Sequence, residues 1–92
     1  MTSVHDKTYS DLAIPPGETL ADELTARGLT QKALAHQMGR PVQMVNEIIK
    51  GKKVITAATA LDLERVLGIP ADFWLRLEAI YQLTLARSRR GA

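Results

Sequence analysis

Residues 30–56 decide the fold, and they read TQKALAHQMGRPVQMVNEIIKGKKVIT. The pattern predicts two short helices joined by a tight turn. Thr30 is placed to cap the first helix, which ends at Gly39. The second helix begins at Pro41, a residue tolerated in a first turn, and ends at Gly51. Each helix has one apolar face at helical spacing: Ala33, Leu34 and Met38 in the first, and Val45, Ile48 and Ile49 in the second.

Three further helices flank this pair. Residues 14–17, Ile-Pro-Pro-Gly, precede the first of them, because two prolines cannot sit in a helix interior. The predicted spans are about Glu18 to Arg27, the cap Thr56 to Gly68, and, after Pro70, Asp72 to about Ala86. No stretch alternates apolar and polar residues as a strand does. The sequence predicts an all-α, five-helix domain over residues 14–86, with a flexible arm at 1–13 and a basic tail at 87–92 that frays.

The composition places limits on the class of protein. The chain has 92 residues, 46% hydrophobic and 24% charged, which is ordinary for one soluble globular domain. It contains no cysteine, which excludes a disulfide framework, a thiolate zinc site and an iron–sulfur cluster. No stretch approaches the roughly 18 consecutive apolar residues of a membrane helix. The opening residues, MTSVHDKTYSD, lack the apolar core of a secretory signal, so we expect a cytoplasmic protein without a membrane partner.

The formal net charge is only +2, but it is unevenly distributed. Residues 29–56 carry a net charge of +4, whereas residues 1–28 carry −3 and residues 57–86 carry −2. A basic middle between acidic flanks favours two surfaces for two different partners. An ordinary solvated surface is the alternative explanation of the same pattern.

The second helix of the central pair has a polar side opposite its apolar one. That side presents Val42, Gln43, Met44, Asn46, Glu47 and Lys50. An α-helix fits the major groove of DNA by its diameter, and side chains near its N-terminus reach the base edges. Gln43 can bond both N7 and N6 of adenine. The pattern therefore predicts a DNA-reading helix, with a merely solvated Gln43 as the alternative.

The same residues, 30–56, look like the helix-turn-helix of the Cro/lambda-repressor (XRE-type) superfamily. The similarity continues through IPPGETLADELTARGLTQ (residues 14–31) and KGKKVITAATALDLERVLGIPADFWLRLEAIYQL (residues 50–83). These segments carry a PGE opening, a GK-x-x-IT link, an ALxLExxLG helix and an xxFWLxLxxxYxL helix. Together they resemble the HigA family of antitoxins, including the virulence-associated protein I group. The resemblance implies a lambda-repressor-like DNA-binding domain.

This resemblance also implies a function and a set of contacts. HigA proteins are DNA-binding antitoxins of type II toxin–antitoxin systems. They neutralise a small basic ribonuclease toxin of the RelE type, and as homodimers they repress their own operon at a palindromic operator. The family's base-reading positions fall on Val42, Gln43 and Glu47, with Met44 and Asn46 nearby. Its backbone-contacting positions fall on Thr30, Gln31, Lys32, Lys50, Lys52 and Lys53, and Arg40 in the turn is a further candidate.

Three residues depart from the family pattern. Pro41 replaces the usual Ser or Thr before the recognition helix, so a hydroxyl contact and a cap are lost. Val42 replaces the common Arg or Gln and can touch only a thymine methyl group. Glu47 can accept a hydrogen bond from cytosine N4 but repels phosphate. These changes leave the resemblance to the family intact but leave the operator sequence open. They also give some support to a third possibility, an interaction protein with a vestigial DNA-binding face.

The last helix is apolar around more than one face. Phe73, Leu77 and Ile80 form one stripe, and Trp74 and Tyr81 form a second stripe beside it. One stripe can pack on the other helices, and we expect Trp74 and Tyr81 to form a dimer or partner surface. A single wide core face is the alternative.

The N-terminal part of the chain carries an acidic group, Asp11, Glu18, Asp22 and Glu23. These residues are candidate contacts for a basic toxin, because opposite charge steers two proteins together. Acidic residues of this kind are more often only solvated.

We expect no catalytic site, no metal and no cofactor. His5 and His36 lie in different segments, and neither an HExxH motif nor a glycine-rich phosphate loop occurs. Ser3, Ser10 and Ser88 lie in the predicted mobile ends, where a nucleophile is not preorganised. The main alternative to an antitoxin is therefore a stand-alone helix-turn-helix repressor without a toxin partner.

Overall fold

The computed structural model describes residues 13–91, and all regular secondary structure in that range is helical. Its five helices are α1 (Pro16–Arg27), α2 (Gln31–Met38), α3 (Val42–Ile49), α4 (Ala57–Leu67) and α5 (Ala71–Gly91). The predicted all-α, five-helix architecture is confirmed. The predicted N-terminal arm, residues 1–13, lies outside the described residues except for Ala13.

Local side-chain and glycine signals start and end the helices as expected. The hydroxyl of Thr30 accepts from the backbone N–H of Ala33 across 3.0 Å, and the hydroxyl of Thr56 accepts from that of Thr59 across 3.3 Å. Gly39 ends α2 in the left-handed conformation, with φ at 71°, where a side chain would be strained. Both N-caps are therefore confirmed.

The predicted helix bounds are wrong in α1, α3 and α5. α1 begins at Pro16 instead of Glu18, because a proline at the first helical position lacks only an N–H that would have no intrahelical partner. α3 begins at Val42 with Pro41 as the N-cap residue, and it ends at Ile49. α5 continues to Gly91 instead of ending near Ala86, so the predicted frayed tail is helical up to that residue. Arginines in the last turn favour this extension, because they face the negative end of the helix dipole.

The core gathers apolar side chains from all five helices and from the loop before α4. Trp74 is its largest member and is fully buried. The other buried members are Leu20, Leu24, Leu34, Ala35, Met38, Val45, Ile48, Ile55, Ala60, Leu63 and Leu67. α3 packs against α2 and α1, while α5 packs against α4 and α1. α3, the predicted DNA-reading helix, therefore packs against two other helices, α1 and α2.

The N-terminus of α1 lies against the C-terminal end of α3. Gly17 is buried there, and a Cβ atom at this position would lie 2.6 Å from the Cα of Ile49 and closer still to the carbonyl oxygen of Ile48. Only a glycine allows the two backbones to approach this closely. The contact fixes where α3 ends relative to the core.

Within residues 13–91, none of the helices has the length and the apolar composition needed to cross a membrane.

Candidate nucleic-acid interface

The N-terminal half of α3 projects from the molecule. Val45 and Ile48 are buried and anchor the helix in the core. Val42 is 47% exposed, and Gln43 is exposed beside it. Val42 and Gln43 are thus the predicted base-reading side chains with the freest access to a groove. A helix-turn-helix protein presents the same end of its recognition helix to the base edges.

The remaining predicted base contacts are half-buried. Met44 packs partly against the core, and Asn46 and Glu47 are of intermediate exposure. The side-chain amide of Asn46 donates to the side-chain carbonyl of Gln31 across 3.2 Å. One N–H of Asn46 is therefore used within the protein, where it joins α3 to the first residue of α2.

Polar and basic side chains lie on α2 and in the loop that follows α3. Thr30 caps α2, and its hydroxyl, which accepts from Ala33, can still donate a hydrogen bond to a phosphate. Lys32 is exposed on the first turn of α2. The loop after α3 adds three exposed lysines, Lys50, Lys52 and Lys53. The fold thus brings the predicted backbone contacts from two segments to the same helix pair, an arrangement able to bind the phosphates on either side of a groove.

The start of α3 has no side-chain cap, as the proline at position 41 predicts. The backbone N–H of Met44 donates to the carbonyl of Pro41 across 3.1 Å. The preceding N–H groups of the first turn have no acceptor within the helix, as at any helix start. They carry the partial positive charge of the helix N-terminus, which suits a nearby phosphate.

Arg40 is engaged by a residue that the sequence analysis did not single out. Its Nε lies 2.9 Å from Oδ2 of Asp62 on α4. Asp62 also pairs with Arg65 across 3.4 Å, and Arg65 in turn donates to the carbonyls of Gln37 and Met38 at the end of α2. Arg40 therefore has an internal partner that competes with a phosphate. Arg40 and Asp62 are 22 positions apart, so no local sequence signal reveals the pair.

The expected partner surface at Trp74 is wrong. Trp74 is fully buried, and its ring packs edge-on against Phe73 with centroids 5.4 Å apart. Tyr81 is half-buried on the same side of α5. The exposed apolar side chains of α5 are instead Phe73, Ile80 and Leu83. Leu77, between Phe73 and Ile80 on the first stripe, is half-buried against the core. Trp74 is buried because the largest ring fills the centre of the core, where it buries the most apolar area.

The acidic candidates are only partly brought together. Glu18 and Asp22 are exposed and lie four positions apart on α1. Glu23 forms an ion pair with Arg27 across 3.0 Å, which offsets its charge. Asp11 lies outside the described residues. An acidic surface on α1 is therefore formed mainly by Glu18 and Asp22.

Known proteins are similar to this chain in sequence and in fold. Residues 20–74 match the helix-turn-helix family. Virulence-associated protein I of Dichelobacter nodosus is 41% identical over 75 residues, which make up 80% of this chain and 69% of that protein. Antitoxin HigA-1 of Vibrio cholerae is 39% identical over 74 residues, or 79% of this chain and 70% of that protein. The structure of Pseudomonas aeruginosa antitoxin HigA with the higBA promoter has a TM-score of 0.83 and 33% identity, over 87% of this chain and 88% of that one.

These similarities agree with one another and confirm the resemblance seen in the sequence. The match to the helix-turn-helix family includes α2, the turn and α3. The similarity to virulence-associated protein I and to antitoxin HigA-1 extends over most of each chain. A helix-turn-helix domain of this kind is a DNA-binding fold. The chain belongs to the HigA antitoxin family of XRE-type helix-turn-helix proteins.

Proposed function

We propose that this protein is the antitoxin of a type II toxin–antitoxin system. It binds the operator of its own operon as a homodimer, and it neutralises a ribonuclease toxin of the RelE type. The observation that carries this proposal is the exposed N-terminal half of α3, together with the exposed basic side chains on α2 and in the loop after α3. The similarity to an antitoxin whose structure includes its promoter supports the same function.

In the proposed DNA complex, α3 lies in the major groove. Gln43 donates to N7 and accepts from N6 of an adenine, and Val42 contacts a thymine methyl group. The lysines around α3 contact phosphates on both sides of the groove. Each phosphate contact contributes about −0.9 to the slope of log K against log salt, so a dimer that makes six to eight contacts has a slope near −6. Two half-sites then lie about 34 Å apart, or a multiple of that distance.

The outer face of α5 is the proposed dimer contact. Phe73, Ile80 and Leu83 expose apolar area there although the core is close by. A second copy of this chain is the occupant that the DNA geometry requires, since a palindromic operator presents two half-sites and each protomer presents one α3. The proposed contact surface does not include Trp74, because this side chain is buried in the core of each protomer.

The acidic surface on α1 is the proposed first contact with the toxin. Glu18 and Asp22 are exposed, and they lie on a different helix from the DNA-reading side chains. A basic ribonuclease is attracted to negative charge, mainly through a faster rate of association. The antitoxin can then hold the toxin and the operator at the same time.

A growth-rescue experiment tests the proposed function. The small reading frame beside this gene is induced alone and then together with this protein, while growth and bulk translation are followed. Growth arrest that co-expression relieves supports the antitoxin. No arrest, or arrest without relief, overturns the toxin partner and leaves a stand-alone repressor. A variant with Gln43→Ala and Lys52→Ala is the matched control, because it removes DNA contacts and leaves the acidic surface intact, so it is expected to rescue growth.

A further inference from the structure

The loop that joins α3 to α4 is held at both of its ends. We call residues 50–55 the basic loop; Lys50, Lys52 and Lys53 in it are exposed, whereas Ile55 is buried. At its start, the backbone N–H of Lys52 donates to the carbonyl of Glu47 across 2.8 Å. This bond ties the loop to the last turn of the recognition helix. The stretch that carries Lys53 and Val54 lies between this attachment and a second one.

The second attachment is made by Glu78 of α5. Oε1 of Glu78 accepts from the backbone N–H of Ile55 across 2.8 Å. Oε2 of the same carboxylate accepts from the side-chain amide of Gln82 across 2.7 Å. Only 9% of Glu78 is exposed, so both oxygens are used inside the protein. Glu78 therefore has no direct access to DNA.

Gly51, near the start of the basic loop, packs beside α5, the helix that carries Glu78. Gly51 has φ at 75°, and a Cβ atom placed on it would lie 3.3 Å from the ring of Pro15 and 3.8 Å from the hydroxyl of Tyr81. Tyr81 is three positions after Glu78 on α5. The loop thus lies between the end of α3, the residue before α1 and the inner face of α5.

Packing alone does not account for a glutamate at position 78. It follows Trp74 by one helical turn on the buried side of α5, where an apolar side chain fills space without the cost of burying a charge. A buried carboxylate is costly unless its oxygens accept hydrogen bonds, and both oxygens of Glu78 do. The bond from Ile55 fixes the backbone of the basic loop.

We infer that Glu78 is a positioning residue for operator binding, which holds Lys52 and Lys53 in place for phosphate contact through its hydrogen bond to Ile55. The inference rests on the proposed function, since it assumes that these lysines contact DNA. Without the bond, the second half of the loop is free, ordering it on DNA costs free energy, and about one lysine–phosphate contact per protomer is lost. Glu78 thus acts on affinity without touching the ligand.

The loss of a negative charge and the loss of a hydrogen bond at position 78 have opposite expected effects on DNA affinity. Three substitutions distinguish the two effects. Glu78→Gln removes the charge but keeps an oxygen that can accept from Ile55. Glu78→Asp keeps the charge but shortens the side chain by one methylene, so the carboxylate no longer reaches the loop. Glu78→Leu removes both the charge and the acceptor. If only charge mattered, Gln and Leu would both bind DNA more tightly and Asp would not change.

The experiment measures operator affinity and its salt slope for these variants in two backgrounds, the native chain and Lys52→Ala/Lys53→Ala. We expect Glu78→Asp and Glu78→Leu to weaken binding about 10-fold and to reduce the magnitude of the slope by roughly 2 per dimer, while Glu78→Gln stays near the native values. In the background without the two lysines, the same substitutions are expected to have no further effect. Amide exchange at Ile55 reports the bond independently, with protection lost in Asp and Leu and kept in Gln.

Each outcome has a defined meaning. If Lys52→Ala/Lys53→Ala keeps the native affinity and slope, the proposed phosphate contact is overturned, and the inference with it. If the lysine variant weakens binding but Glu78→Asp keeps the native slope, only the inference is overturned. An equal loss of affinity in both backgrounds also overturns it, because that result describes a general loss of stability. Thermal unfolding confirms that each variant is folded, and Glu78→Asp decides the question if Glu78→Leu does not fold.

Discussion

The side chains of Asn46 and Gln31 form a hydrogen bond of 3.2 Å that joins the middle of α3 to the first residue of α2. Both residues belong to the set predicted to contact DNA. The bond orients the amide of Gln31, which is half-buried at the start of α2. A side chain held in this way loses less freedom when it binds a phosphate or a base.

Asn46 and Gln31 are therefore expected to act as a unit. Asn46→Ala and Gln31→Ala should each weaken operator binding, and the double variant should be weaker than native by less than the sum of the two effects. We expect a coupling energy of about 0.5–1.5 kcal/mol, the range of one net hydrogen bond between neighbours. A double-mutant cycle on the operator affinity measures it. Strict additivity would mean that the bond does not organise the interface.

Gln43→Ala should remove sequence reading without removing phosphate binding. Gln43 is exposed near the start of α3, and a two-point contact with adenine is worth about 1–3 kcal/mol of discrimination per half-site. We expect operator affinity to fall, nonspecific affinity to stay constant and the salt slope to stay unchanged. Titration of operator and scrambled DNA measures both affinities. Gln37→Ala, at an exposed glutamine on α2, is the matched control and should bind like the native protein.

Asp62→Asn should strengthen DNA binding. Asp62 holds Arg40 in an ion pair of 2.9 Å that has to break or rearrange before Arg40 can meet a phosphate. Exposed pairs are worth about 0–1 kcal/mol, so affinity should rise by roughly two- to fivefold. The control is Asp72→Asn, which removes the same charge from an exposed pair with Arg76 on α5. An equal rise in both variants would show that only net charge matters.

Gly17→Ala should strongly destabilise the fold. A methyl group at this position would overlap the backbone of Ile48 and Ile49, which cannot move without shifting α3. We expect the free energy of unfolding to fall by about 3 kcal/mol, the upper end of overpacking costs. Gly28→Ala is the control, since it has φ at 63° but nothing within 4 Å, and it should cost about 1 kcal/mol. Urea unfolding compares them, and equal costs would contradict the close approach.

Ile80→Asp and Leu83→Asp should each convert the proposed homodimer into folded monomers. Both side chains are about half exposed on the outer face of α5, so a charge there does not disturb the core of one protomer. Leu61→Asp, on the exposed face of α4, is the matched control and should remain a dimer. Sedimentation analysis measures the oligomeric state of each variant, and thermal unfolding shows whether it is folded. If both α5 variants remain dimers, the dimer contact does not lie on the outer face of α5. Truncation of α5 is not informative, because it removes Trp74 from the core.

The sequence by itself determined the five helices and the side of α3 that faces solvent. Thr30 and Thr56 each bond a backbone N–H three positions ahead, so the start of a helix is a local property. The side of α3 that faces solvent follows from the spacing of Val45 and Ile48 alone, and this spacing turns Gln43 outward. These interactions span only a few residues, and a sequence pattern contains them completely.

The tertiary structure decided which stripe of α5 is buried and which distant residues support the interface. Trp74 and Ile80 lie on adjacent apolar stripes of one helix, and only the shape of the core selects the tryptophan. The bonds from Arg40 to Asp62 and from Ile55 to Glu78 join positions 22 and 23 apart. Such pairs depend on how the helices pack. Helical periodicity specifies the direction of a side chain around its own axis, but not the partner that it meets across the core.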